Sequence, residues 1–117
     1  MTFSINNNLS ALRAYGAQMG VTANNIANTD SEEFKRSRAL LKEGPNQDIQ
    51  VEISKIDSPG RILTEVIEDE LIERELSNVD LSKEITQTVQ IQRGYEANLN
   101  AIKTQNEMLG SVIDILG

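Results

Sequence analysis

Residues 79–116 read VDLSKEITQTVQIQRGYEANLNAIKTQNEMLGSVIDIL, with no proline to interrupt them. Leu81, Ile85, Thr88, Gln92, Tyr95, Leu99, Ile102, Asn106, Leu109, Ile113 and Leu116 alternate at steps of four and three, the a/d seam of a coiled coil. The pattern predicts a helix from about Val79 to Leu116, on the order of 55 Å long. Ser77 or Asn78 offers an N-cap oxygen, and Asp80 and Glu84 stand where the macrodipole favours negative charge. Gln92 and Asn106, polar within the seam, would set register or orientation. Val89, Ile91, Met108, Val112 and Ile115 lie off the seam, so the apolar surface is wider than one partner helix covers.

A second, weaker seam opens the chain. Ile5, Leu9, Leu12, Gly16, Met19, Ala23 and Ile26 keep the same alternation. Gly16 and Ala23 suit close approach of a partner backbone, while Gly16 and Gly20 each weaken the helix by about 1 kcal/mol relative to Ala. The two seams predict a mainly α chain in which long N- and C-terminal helices pair as an antiparallel coiled coil. Leu9, Leu12, Met19 and Ile26 would face Ile85, Tyr95, Leu99, Ile102 and Leu109, with Ile113 continuing the seam. The chain divides into an N-terminal helix over residues 1–28, a middle segment over 29–76 and a C-terminal helix over 77–117, all within one structural domain.

The middle segment has a different character. Thr29-Asp30-Ser31-Glu32-Glu33 carries turn-forming side chains that end the first helix, and Gly44-Pro45-Asn46 marks another turn. Ile49, Val51 and Ile53 alternate with polar residues as a half-buried strand does. Asp57-Ser58-Pro59-Gly60 then turns the chain, and Ile62, Leu63, Val66 and Ile67 read as the return strand of one small β-hairpin. Residues 65–75 hold six carboxylates and a single Arg, and read as a solvated acidic connector.

Composition narrows the function. The chain has 117 residues, room for one domain; it is 38% hydrophobic, with two Phe and two Tyr as its only aromatics. A self-sufficient core is not expected. With no Cys and no His there is no thiol nucleophile, imidazole base, usual zinc ligand set or disulfide, and no cofactor or metal is expected. The acidic run matches no calcium loop. A carboxylate-based hydrolase would need a cleft around Glu65 to Glu75, and nothing near Lys83 or Lys103 would activate a lysine. A net charge of -7 argues against nucleic acid and anionic membrane surfaces. No stretch suits a membrane span, and Met1 to Gly20 does not read as a cleavable secretory signal, so any exit from the cytoplasm would use another route.

Charge is also missing from both ends. Through residue 28 the only charged side chain is Arg13, and amides supply the polarity; the last helix is likewise rich in Gln and Asn. A crowded interface would desolvate a Lys or Glu at several kcal/mol, whereas an amide needs only a hydrogen-bond partner. An ordinary polar helix face is the equal alternative.

Two strings resemble the terminal signatures of the bacterial flagellar rod and hook proteins. The first is Ala23-Asn24-Asn25-Ile26-Ala27-Asn28-Thr29-Asp30-Ser31-Glu32-Glu33-Phe34-Lys35. The second is Ser77-Asn78-Val79-Asp80-Leu81, then Glu84, then Gln92-Arg93-Gly94-Tyr95-Glu96-Ala97-Asn98, then Glu107-Met108-Leu109. Glu33 stands where the family usually has Gly, which puts the local turn in question because Gly alone enters positive φ cheaply. Thr29 departs from a more often apolar position. The short middle segment is similar to that of a proximal-rod protein. The resemblance implies a structural, non-enzymatic subunit of the periplasmic basal-body rod, needed for motility and exported through the flagellar type III apparatus without a cleaved signal. Its partners would be copies of itself and other rod and hook proteins, with no membrane insertion. Asn24 to Asn28 and Ser77 to Asp80 would be assembly contacts, although helix termination and capping serve equally well for Asn28 and Ser77. The alternative is a cytosolic helical adaptor or export chaperone that binds a client through its apolar helix face.

Overall fold

The computed structural model describes the backbone of residues 2–117 and the side chains from Asn6 onward. Ile5, the first position of the N-terminal seam, therefore has a side chain outside the described residues. The elements run α1 (Thr2–Ala27), β1 (Ser37–Glu43), β2 (Ile49–Lys55), β3 (Ile62–Ile67), β4 (Glu70–Glu75) and α2 (Leu81–Leu116).

The expected coiled coil with one hairpin is not what forms. Two helices accompany four strands, in two separate antiparallel pairs, β1 with β2 and β3 with β4. Strand β2 pairs with Ser37–Glu43, not with the run beginning at Ile62, and the acidic stretch read as a connector is itself half of a hairpin. The apolar residues of β1 sit side by side as Ala39, Leu40 and Leu41, so alternation does not reveal the strand. Its partner supplies the order: Ala39 stands opposite Ile53 and Leu41 opposite Val51 on one face, of which Ala39 is buried and Val51 half-buried while Leu41 and Ile53 remain exposed. The β3–β4 turn is Glu68-Asp69, with φ of 53° and 65°. Positive φ at both central residues is the type I′ hairpin geometry, usually met by Asn-Gly, and acidic residues disguise it here.

The helices run antiparallel, with Asn8 Nδ2 donating to Gln105 Oε1 at 3.3 Å near one end and Asn25 Nδ2 to Glu84 Oε1 at 3.3 Å near the other. Their inner faces are not the apolar seams. Among the described residues of α1, those buried are Ala11, Ala14, Gln18, Thr22 and Asn25. On α2 the inward positions are Glu84, Gln87, Ile91, Gly94, Asn98, Ala101 and Gln105, with Glu84 and Ile91 buried and the others half-buried. Apart from Ala14, each inner position lies one residue before a position of the expected seam, a rotation of about 100° around the helix. Small inward residues explain why: α1 must meet both α2 and the β1–β2 hairpin. At Gly94 a Cβ would come within 2.6 Å of the Tyr15 ring, whereas Gly16 and Gly20 face open space.

Asp80, not Ser77 or Asn78, caps α2, its side chain accepting from the Ser82 N–H at 3.1 Å. The molecule measures 84 × 25 × 14 Å, with a radius of gyration of 21.2 Å against about 13 Å for a compact chain of this length. Helix α2 supplies about 54 Å of that length. Accessible surface totals 8452 Å², about 2,100 Å² more than a compact monomer of 13.0 kDa exposes.

Candidate functional site

Two buried or half-buried amides fasten the chain. Asn25, 1% exposed, pairs with Ser37 as a strand would: its Oδ1 accepts from the Ser37 N–H at 2.9 Å and its Nδ2 donates to the Ser37 carbonyl at 2.8 Å. The same Nδ2 lies 3.3 Å from the Glu84 carboxylate, so one side chain joins α1, β1 and α2. Asn78 does the equivalent before α2. Its Oδ1 accepts from the Arg36 N–H at 2.6 Å, and its Nδ2 donates to the carbonyls of Ile56 and Ser58 at 2.7 and 2.9 Å. Neither arrangement has acid–base or nucleophilic character; both hold loops that a small core would not fix.

Other motif residues are distributed around these clamps. Asn24 and Ala27 are exposed, Ile26 half-buried, and Asn28 bonds Asn24 through its amide while accepting from Ser31 Oγ at 2.9 Å. The Phe34 carbonyl accepts from the Asn78 N–H at 3.2 Å, tying the two motif strings together. Ser77 is buried, with its hydroxyl accepting from the half-buried Val79 at 3.2 Å. Asn98 back-bonds to the Gly94 carbonyl at 2.8 Å. Gln92, Arg93 and Ala97 are exposed; Gln92 donates to Glu96 at 3.3 Å.

Glu33 adopts a φ of 57°, the left-handed conformation that a Gly would enter cheaply, and its N–H donates to the Glu75 carbonyl at 3.0 Å. Nearby, the Glu75 carboxylate accepts from the Lys35 ammonium and from the Gly60 N–H at 3.1 Å. The Lys35 hydrogen bond, reinforced by that from Gly60, holds the Glu75 carboxyl below the ordinary glutamate value. Gly60 is required here, because a Cβ would meet the Leu76 carbonyl oxygen at 1.9 Å.

The seam residues face outward. Leu9, Ile85, Tyr95, Leu99 and Leu109 are exposed, Leu99 by 44% and Ile113 by 58%; Leu12, Met19 and Ile102 are half-buried. Tyr15, Met19, Ile91, Tyr95 and Leu99 line an open apolar groove along the two helices. Glu68, Asp69, Glu70 and Glu73 are exposed, so the acidic run forms no desolvated carboxylate pair. Among the described residues no group of His, Cys, Asp and Glu could hold a metal ion, and no helix is long and apolar enough to cross a membrane. Sequence periodicity missed Gln18, Glu84 and Gly94 as inward positions. The amide-rich, charge-poor composition of the helices was the available signal for a polar interface.

Together these features define an elongated structural chain with its apolar stripe turned outward, in place of a compact domain around an enclosed site. Residues 74–115, about a third of the chain, match the family described as the flagellar basal body rod FlgEFG protein C-terminal segment. The chain is 44% identical over 41 residues to the flagellar hook protein FlgE of Escherichia coli (strain K12), and equally to that of Salmonella typhimurium. The aligned stretch is 35% of this chain and 10% of the hook protein.

Proposed function

We propose that the chain is a structural subunit of the flagellar basal-body rod, joined to copies of itself and to other rod and hook proteins through the outer stripe of α2, and that it catalyses nothing. The observation that carries this reading is a coincidence of position: the family-matched segment is the helix whose apolar seam is left uncovered. The surplus of about 2,100 Å² is comparable to the roughly 1,200–2,000 Å² buried in a stable protein–protein interface. Export through the flagellar type III apparatus to the periplasmic rod fits a chain whose small core and glycine-bearing helix let it travel unfolded and order itself on arrival.

Leu99→Asp tests the proposal, because it places a charge at an exposed position of the outer stripe. Helicity of the dilute monomer should persist, while assembly in sedimentation velocity and motility in soft agar are lost. A motile strain carrying the change refutes the reading. Recovery of the wild-type chain in purified basal bodies supports it; a discrete small oligomer retained in the cytoplasm favours the adaptor or chaperone alternative.

A further inference from the structure

Among the described residues, hairpin β3–β4 contacts no helix or strand outside itself. It is held at its base by the Glu33 N–H on the Glu75 carbonyl at 3.0 Å, the Lys35–Glu75 pair and the Arg74–Glu32 pair at 3.2 Å. Ile62, Val66 and Leu71 share one face by register, and all are exposed, Leu71 by 71%. A lone two-stranded hairpin is marginal in water, so this face needs a surface to lie on. Its charge selects which. Residues 65–75 account for five of the chain's seven net negative charges, and Glu68, Asp69, Glu70 and Glu73 have no ion-pair partner among the described residues. Stacking two such hairpins would set like charges together.

The complementary surface lies elsewhere on the same chain. A groove between α1, β1 and the first turns of α2 is lined by Val21, Leu40 and Ile56 together with Arg36, Arg38 and Lys83. Those three cations make no salt bridge among the described residues. The three cations match the hairpin's carboxylates, and Val21, Leu40 and Ile56 offer apolar contact within a lining that is otherwise mostly polar and includes the buried Glu84; among the described residues the hairpin of the same chain does not contact the elements that build the groove.

We propose that the β3–β4 hairpin of one copy seats in the Arg36–Arg38–Lys83 groove of a neighbouring copy. This rests on the rod reading, which supplies the neighbour. Hairpin and groove are different surfaces, so the contact is heterologous and repeats from copy to copy, as an open-ended assembly requires.

Charge exchange tests it with the full chain. One variant reverses the hairpin's docking face, Thr64→Lys with Glu73→Lys, which are cross-strand partners on it; the other reverses the groove, Arg38→Glu with Lys83→Glu. All four side chains are exposed, and circular dichroism verifies that each variant folds. Each variant alone should need about tenfold or more higher concentration to assemble, since like charges then meet at every contact. Mixed in equal amounts, they should assemble near the wild-type threshold, alternating along the polymer with every contact complementary. Unimpaired assembly of either variant alone, or failure of the folded mixture to recover, overturns the docking while leaving the rod reading intact. A wild-type chain that stays monomeric at every concentration overturns both.

Discussion

Helix α2 has two faces that differ in composition and in what they touch. The inner one, Glu84, Gln87, Ile91, Gly94, Asn98, Ala101 and Gln105, is largely amide and small, and it faces α1. The outer one, Leu81, Ile85, Tyr95, Leu99, Leu109 and Ile113, is mostly aliphatic and faces solvent in the single chain. In a self-contained domain the greasier face turns inward, because apolar burial is the dominant favourable contribution to folding. The inversion shows which contact each face is built for. Amides and small residues let three elements crowd together with their polar groups satisfied, and the apolar stripe is free for contacts outside the chain.

The largest test of the inner face is Asn25→Ala. Removing this amide leaves the Ser37 N–H and carbonyl and the Glu84 carboxylate without their partner. Unsatisfied buried groups make the expected loss about 2–4 kcal/mol in urea or thermal unfolding of the dilute chain. Asn24→Ala, one residue away and exposed, is the control, expected within about 0.5 kcal/mol of wild type. Equal effects would mean that the amide-rich face is an ordinary polar surface.

A pair of glycines sharpens the comparison at somewhat smaller cost. Gly94→Ala forces the Tyr15 ring aside, for an expected loss of about 2 kcal/mol. Gly20→Ala meets open space and should stabilise the monomer by about 1 kcal/mol through helix propensity. Assembly separates the two again. If neighbours approach the outer face of α1 closely, Gly20→Ala raises the assembly threshold even as it steadies the isolated chain. A Gly94→Ala chain as stable as wild type would show that the helices do not meet as described.

Local features were legible in the sequence, and pairings were not. The uninterrupted alternation that begins at Leu81 follows from the period of the α-helix, and Gly44-Pro45-Asn46 lies in the turn between β1 and β2. The same alternation pointed to the wrong intrachain contact, because periodicity detects the most apolar stripe whether a segment of the chain or something outside it covers that stripe. Inner residues such as Gln18, Thr22 and Asn25 carry no hydrophobic signal. Strand pairing failed for a related reason: the adjacent apolar residues of β1 and the Glu68-Asp69 turn each hide a hairpin from rules that look for alternation and Asn-Gly. The position of Glu33 was legible, since an expected Gly marks a backbone demand whatever residue occupies it.

That demand gives a smaller prediction, now for the loop that joins the helical body to the free hairpin. Glu33 stands at a φ of 57°. Gly there avoids the left-handed penalty of about 1–2 kcal/mol but frees the unfolded chain, so Glu33→Gly should gain a net of about 0.5–1 kcal/mol. Chemical denaturation measures this directly. A loss of stability would mean that the glutamate side chain contributes more than its backbone costs.

The smallest effect belongs to the hairpin's base. The Glu75 carboxyl is held below the ordinary glutamate value by the Lys35 ammonium and then by the Gly60 N–H. A lowered folded value means that the native chain binds this proton more weakly than the unfolded chain does. The resulting stabilisation is present above the ordinary carboxylate range, about pH 4.3, and is lost as pH falls through the lowered folded value. Glu75 and Lys35 are both partly exposed, so the effect is screened and confined to this corner. The amide proton of Gly60, which donates to this carboxylate at 3.1 Å, should report the titration in an NMR pH series, with a midpoint below the ordinary glutamate value. Lys35→Met should move that midpoint upward and loosen the β3–β4 base while the Asn25 clamp is unaffected, because the two sites share no partner. A midpoint unchanged by Lys35→Met would mean that the ammonium is not what holds the carboxyl down. The backbone bond from Glu33 to Glu75 would then be the tether at this corner, and that part of the hairpin's anchorage would be insensitive to acid.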